Sequence, residues 1–297
     1  MKQTFDIYQV ITDKITAMLE QGVIPWKRPW TGVLDGATSY STGKPYSYLN
    51  QLMLEDPGEY ITFSECERLG GHIKKGAKSK MVVFWKWLTV AKKGEDGQPV
   101  IKDGEPQYKE IPMLRYFNVF NIQDCEGIEP HAKEEYKPVD PIEEGEEVIA
   151  GYLGRETELR FQNDRPSNRA YYSPGADKVV VPMREQYNHL NEYYSTTFHE
   201  LTHSTLKASR CNREEDNKLA AFGSADYSRE ELVAELGSAY LMGRCGIDTD
   251  KTTRNSAGYI QGWLRALKND KNMIVWAAGR AEYAAKYILT GEKRKEE

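Results

Sequence analysis

The sequence predicts an α+β protein in two units. Residues 1–128 read as a mixed helix and antiparallel-sheet domain, and residues 148–297 as a mainly helical one. Three observations predict this. Apolar residues in the first half recur at both helical and strand periods, whereas in the second half the helical period dominates. Between the halves, residues 129–147 (EPHAKEEYKPVDPIEEGEE) combine prolines and carboxylates with little that could pack, which marks an acidic linker. A chain of 297 residues is also long enough for two cores.

Composition narrows the classes further. Hydrophobic residues make up 39% and charged residues 29%, the balance of a globular chain. The first 23 residues carry scattered charges and lack the apolar run of a signal peptide. No stretch approaches 18 apolar residues, so no membrane partner is expected. Cys66, Cys125, Cys211 and Cys245 form no CxxC pair, which fits free thiols in a reducing cytoplasm.

The elements follow in order. Ile7, Ile11, Ile15 and Leu19 recur every fourth residue, predicting a helix over 4–21 that ends before Gly22. The prolines of IPWKRPW (24–30) forbid regular structure there. Thr62 and Glu65 have capping-box spacing, so a helix should start at 63, followed by a glycine turn, a basic loop and a strand ending in FWKW. EDGQPVIKDGEPQ reads as a polar hairpin or loop, and PMLRYFNVFNI as a closing strand. Beyond the linker, AYYSPGADKVVVPM predicts a turn and a strand. Helices are expected over 184–208 and 228–243, with a last one through NMIVWAAGRAEYAAKYIL.

The chemistry concentrates in FHELTHST (198–205). On a helix, His199 and His203 stand one turn apart on one face, so both imidazoles can reach one metal ion. Zinc takes neutral imidazole nitrogen readily, and Glu200 then lies beside the open position as a general base toward water. Leu206 and Ser209 stand where a metzincin needs glycine and histidine, and no other histidine follows the motif. The third ligand is therefore expected among the carboxylates of YSREELVAELGSAY: Glu230, Glu231 or Glu235. Glu231 and Glu235 suit a ligand and, one turn on, a carboxylate holding the far nitrogen of a ligand histidine. Ser228 and Glu231 also have capping-box spacing, which offers Glu231 a purely structural role.

Residues 1–128 hold 16 basic and 16 acidic residues, but unevenly: Arg68 to Lys93 contains eight basic residues and no acidic one. Tryptophans interleave with these cations, and bases of a single strand stack on such faces while lysines neutralise phosphates. The candidate contacts are Trp26, Lys27, Arg28, Trp30, Lys44, Tyr46, Lys74, Lys75, Lys78, Lys80, Trp85 and Arg115. Trp85 and Trp87, two apart on one strand, should share a face.

Several of these segments together resemble a known family. DIYQVITDKITAMLEQGVIPWKRPW, TGKPYSYLN, TFSECERLGGHIKKGAKSKMVVFWK and LRYFNVFNIQDCEGI resemble the N-terminal single-stranded-DNA-binding domain of ArdC-type antirestriction proteins. AYYSPGADKVVVPMREQYNHLNEYYSTTFHELTHST and YSREELVAELGSAYL resemble the zincin-like metallopeptidase domain that follows it there. The resemblance implies Zn²⁺ held by His199, His203 and Glu231, with Glu200 as base. It also implies protection of incoming plasmid or other mobile-element DNA from restriction. The family often carries Trp-Thr-Gly after the second histidine, where this chain has Ser204-Thr205-Leu206. Two further functions fit the same residues: a regulatory zinc peptidase with one protein substrate, and a DNA-binding protein with a structural metal.

Overall fold

The computed structural model describes residues 5–27, 36–93, 98–102, 105–131, 140–213, 225–248 and 257–293. Helix α1 (Ile7–Glu20) begins where the Asp6 carboxylate accepts from the backbone N–H of Tyr8 (3.1 Å) and Gln9 (3.3 Å). There follow β1 (Ala37–Ser39), α2 (Tyr48–Leu54), β2 (Gly58–Thr62), α3 (Phe63–Arg68), β3 (His72–Ile73), β4 (Lys80–Ala91), β5 (Ile101–Lys102), β6 (Glu105–Pro106), β7 (Tyr108–Asn121) and β8 (Cys125–Glu126). Thr62 caps α3 by accepting from the Glu65 N–H at 3.3 Å, while the Glu65 carboxylate turns to Arg68.

The main sheet has the order β1-β2-β7-β4, antiparallel except for the β1–β2 pair. Strands β4 and β7 pair along their whole length, from Lys80 opposite Val119 to Ala91 opposite Tyr108, and make a long two-stranded arm. The polar stretch between them contributes the small β5–β6 hairpin.

The second half runs α4 (Pro141–Arg155), β9 (Arg160–Gln162), β10 (Tyr171–Ser173), β11 (Lys178–Val180), α5 (Leu190–Ser204), α6 (Ala225–Arg244), α7 (Ala257–Asn269) and α8 (Met273–Thr290). Its small sheet has the order β10-β11-β9. Two differences from expectation stand out. Residues 141–147 of the expected linker are the first turns of α4: Asp140 caps it, accepting from Ile142 and Glu143, and Pro141 takes the first position. In addition, α7 is a helix that the sequence reading did not anticipate.

The expectation of separate cores also gives way. One apolar cluster contains Ile11, Ile15, Leu19, Leu52 and Val83 from the first half and Leu232, Leu236, Trp263, Leu267 and Ile274 from the second. Helix α1 lies on α7 and α8, and α2 on α8. A separate cluster, including Tyr152, Tyr194, Phe198 and Leu201, belongs to the second half alone. A fragment of residues 1–128 would expose the shared face, so it should not fold by itself as two units with separate cores would. Leu267→Ala should lower one cooperative thermal transition of the full chain, by roughly 2–5 kcal/mol. Two resolved transitions, only one of them shifted, would restore the separate cores.

Candidate metal centre and DNA-facing surface

The candidate metal-binding residues are brought together by the way α5 meets α6. At Gly237 of α6, a Cβ would stand 2.6 Å from the Thr202 side chain of α5, so glycine admits an approach that no other residue would. The Ser238 hydroxyl donates to the Ser195 carbonyl at 2.8 Å and locks the same pair of helices. This closeness brings the first turns of α6 over the HELTH face of α5. Ser228 lies inside α6 rather than at its start, so Glu231 is not closing a capping box there.

His199 and His203 turn their Nε2 atoms toward each other at 3.1 Å. The Glu231 carboxylate completes a triangle, with Oε2 3.5 Å from His199 Nε2 and Oε1 3.4 Å from His203 Nε2. Among the described residues, these three offer donor atoms all within 4.8 Å of one another. Each imidazole is held from behind. His199 Nδ1 faces Glu235 Oε1 at 3.3 Å, and His203 Nδ1 faces Glu230 Oε1 at 3.4 Å. A carboxylate opposite Nδ1 keeps the proton on that nitrogen and leaves the Nε2 lone pair free to bind a cation.

Glu235 thus stands behind His199. Glu230, named only as a candidate ligand, performs the same task for His203. It is anchored by Arg213, whose Nε and Nη2 donate to its two oxygens at 3.1 and 2.8 Å. Arg213 also donates to Thr205 Oγ1 and the Thr202 carbonyl at the end of α5. No sequence signal marked Arg213, which lies in an irregular segment.

Glu200 is buried, with 6% of its surface exposed. Burial disfavours a charged His203, but hydrogen bonds that it donates to Glu230 and Glu231 and the nearby Glu200 charge outweigh it, pushing His203 up to about 10. Burial likewise works against a charged Glu231, yet both imidazoles hold it well below the usual carboxylate range. Two imidazoles and four carboxylates therefore share one small, largely buried volume. That donor set is an electrostatic trap for a divalent metal ion.

The end of α5 is fixed by a second buried network. Arg210 donates to both Asp177 oxygens (2.8 and 2.9 Å), to Glu156 (2.8 Å) and to the Ser204 carbonyl (2.8 Å). Burial raises the Asp177 pKa, but hydrogen bonds from Arg210, Lys207 and Tyr172 overcome it and bring it down to about 2. An unfolded Asp titrates near 3.9. A depressed folded pKa stabilises above the unfolded value and loses that stability as pH falls to the folded one. Asp177→Asn keeps the left-handed backbone at φ 44° accessible. It should cost about 2–3 kcal/mol at neutral pH, and the difference from wild type should vanish between about pH 4 and pH 2 in denaturant titrations. A difference that persists unchanged at pH 2 would show that charge is not the source.

The expected DNA contacts fall in different environments. Trp26 is core: 2% exposed, it sets its ring edge-on to Trp263 at 6.3 Å, so it leaves the set of candidate contacts. The surrounding sequence, WKRPW, carries no sign of this because the burying partners lie more than 200 residues away. Arg28 and Trp30 lie outside the described residues, as does the Lys27 side chain. Lys80 is engaged by Asp56 at 2.6 Å and by the Leu54 carbonyl. Lys44, Lys74, Lys75, Lys78 and Arg115 are exposed, with Lys74 also donating to the Gln123 carbonyl at 2.8 Å. Tyr46 is half-buried against a small cluster that includes Tyr60.

Trp85 and Trp87 do share a face of β4 and are 49% and 54% exposed. On that same face Val83 is buried in the shared core. The apolar face of β4 therefore runs out beyond the core and becomes the wall of a cleft. Lys44, Tyr46 and Trp85 line one cleft of about 850 Å³.

Residues 5–120 match the family model for the N-terminal domain of the anti-restriction factor ArdC. Residues 150–280 match the model for a zincin-like metallopeptidase. The whole architecture resembles the crystal structure of the metal-free antirestriction ArdC protein from plasmid R388. The TM-score is 0.71 and the sequence identity 30%, over 98% of this chain and 100% of that one. The chain belongs to the ArdC-type antirestriction family. The Mn(II)-bound structure of the R388 protein is similar at a TM-score of 0.70 and 29% identity, covering 96% of this chain and 97% of that one.

This ArdC-type chain also has relatives of other lengths. It is 29% identical over 301 residues to a DNA primase TraC of Escherichia coli, covering 97% of this chain but 20% of the primase. A second TraC of Escherichia coli is 28% identical and covered over 27% of its length. The chain thus spans about a quarter or less of those primases. Protein y4eC of Sinorhizobium fredii, which has no assigned function, is 27% identical over 95% of this chain and 91% of its own. No helix among the described residues is long and apolar enough to cross a membrane.

Proposed function

We propose that this ArdC-type chain binds single-stranded DNA, carries Zn²⁺ at His199, His203 and Glu231, and protects incoming mobile-element DNA from restriction in the cytoplasm. The observation that carries the DNA part is the exposed Trp85–Trp87 face of β4, a strand that the exposed Lys74, Lys75 and Lys78 precede in the chain. Only unpaired bases offer faces to stack on such side chains. The Nε2–Nε2 distance of 3.1 Å suits two ligands of one ion and is compatible with zinc. Two nitrogens about 2.0–2.1 Å from a tetrahedral ion stand about 3.3 Å apart.

The same site supports peptide hydrolysis. When bound, a divalent ion supplies Lewis-acid polarisation of a carbonyl. The chain's own residues do the rest. Glu235 and Glu230 orient the imidazoles, and Glu200 takes a proton from the attacking water and returns it to the leaving nitrogen. A structural metal site needs no such base. Glu200 therefore favours a second reading, a regulatory peptidase with a protein substrate, over a purely structural metal.

Titration of a labelled oligothymidine against the full chain at several salt concentrations tests the DNA reading. Single strand should bind better than duplex, with little sequence preference. Alanine at Lys74, Lys75 and Lys78 together should flatten the salt dependence by about two units of slope, at about 0.7 per lost phosphate contact. An unchanged slope would move the phosphate contacts elsewhere, and no binding at any salt would sink the reading.

A further inference from the structure

The geometry points to a strand-binding groove shared by both halves of the chain, in which α8 forms the second wall opposite β4. This rests on the single-strand reading above and says where the strand lies. The cleft lined by Lys44, Tyr46 and Trp85 continues into another of about 890 Å³. The two have Trp85, Val275, Gly279, Tyr283 and Lys293 in common. One groove therefore crosses the molecule, with the exposed tryptophans of β4 on one side and α8 on the other.

The lining of the second cleft suits nucleic acid. Its aromatic rings come from both walls: Trp85 and Trp87 on β4, Trp276 and Tyr283 on α8, and Tyr8 on α1. Its charged side chains are Arg210, Arg213, Arg280 and Lys293, and none of its described lining residues is Asp or Glu. Arg210 and Arg213 are committed to Asp177 and Glu230, whereas Arg280 and Lys293 add positive charge to the lining. The Arg280 guanidinium lies 4.0 Å over the Trp276 ring, a flat cationic stack facing the groove. At the other end Glu282 and Glu292 join the lining. Glu282 is occupied there, accepting from the Tyr48 N–H at 2.9 Å and from Lys286 at 2.7 Å.

Aromatic faces on both walls with cations between them give a polyanion with unpaired bases both its contacts at once. A duplex presents no free base faces, and the Asp and Glu side chains of an acidic peptide have no rings to stack. Arg213, which holds Glu230 behind His203, is part of the lining, so a bound strand would pass the back of the candidate metal centre.

Gly279 provides a test that spares the fold. It lies on the groove floor, and a Cβ there meets no atom within 4 Å. Leucine is also a better helix former than glycine. In the full chain, Gly279→Leu should keep the wild-type melting temperature or raise it, yet weaken oligothymidine binding roughly fivefold or more by filling the floor. Arg280→Ala should weaken binding and reduce the salt slope by about 0.7. An oligonucleotide carrying 5-iodouracil should crosslink to Trp276 as well as to Trp85 or Trp87. If both variants bind like wild type while Trp85→Ala weakens binding, and crosslinks stay on β4, the shared groove is wrong and the single-strand reading stands. If the wild-type chain binds no strand, both fall together.

Discussion

Glu231→Ala should cost the full chain about two to four orders of magnitude in zinc affinity, measured by competition with a chelator. The substitution removes one of three protein ligands. Zinc held in peptide sites is worth roughly 10–16 kcal/mol, so a single ligand accounts for about 3–5 kcal/mol. Helix α6 tolerates alanine well, and the partly exposed Glu231 supports no apolar packing, so the fold should survive. Glu235→Ala should cost less, about 10- to 100-fold, because Glu235 acts through His199 rather than on the ion. The reverse order, with Glu235→Ala the more damaging, would make Glu235 the third ligand.

Glu200→Gln should lower peptide hydrolysis by about 10²–10⁴-fold while leaving zinc and single-strand binding near wild type. The replacement keeps the size of the side chain and removes the base, and general-base catalysis carries about that factor. Glu200 faces neither the β4 tryptophans nor the groove, so DNA affinity has no reason to move. The transfer of DNA into a restricting host then separates two readings. Protection that survives Glu200→Gln belongs to strand binding; protection that disappears while the strand still binds belongs to proteolysis. We expect it to survive, because the basic, aromatic groove can cover an entering strand without cleaving anything. Loss of strand binding itself in this variant would contradict the separation of the two sites.

What the sequence revealed follows from how local each feature is. Helix α1, the capped α3, the paired arm β4–β7 and the helices bearing the motif rest on periodicity and caps within one segment, and all are present. The meeting of His199, His203 and Glu231 rests on equally local signals: i,i+4 spacing places the histidines, and Glu231 follows on a second periodic helix. Helix α4 was hidden because its exposed acidic first turns look like a linker, although Glu143 and Glu144 suit the positive end of a helix and Asp140-Pro141 opens one. Helix α7 contains Gly258 and Gly262, which weaken the helical signal around a sound apolar stripe of Ile260, Trp263, Leu264 and Leu267.

Long-range packing explains the remainder. Trp26 and Trp85 both sit beside cations in sequence, but α7 covers the first while the second keeps about half its surface exposed. The Glu230–Arg213 pair joins a helix to an irregular segment 17 residues away, and no period links the two. The shared core of α1, α2, α7 and α8 is likewise a contact between chain ends, invisible to any reading that divides the sequence at its acidic stretch.

The central claim is that two imidazoles and the Glu231 carboxylate bind one divalent ion next to Glu200. X-ray absorption and anomalous scattering on the purified full chain test it most directly. The account predicts one zinc per chain, coordinated by His199 Nε2, His203 Nε2 and a Glu231 oxygen. A chain that takes up no divalent metal, or holds one with Glu231 turned away to solvent, would contradict it.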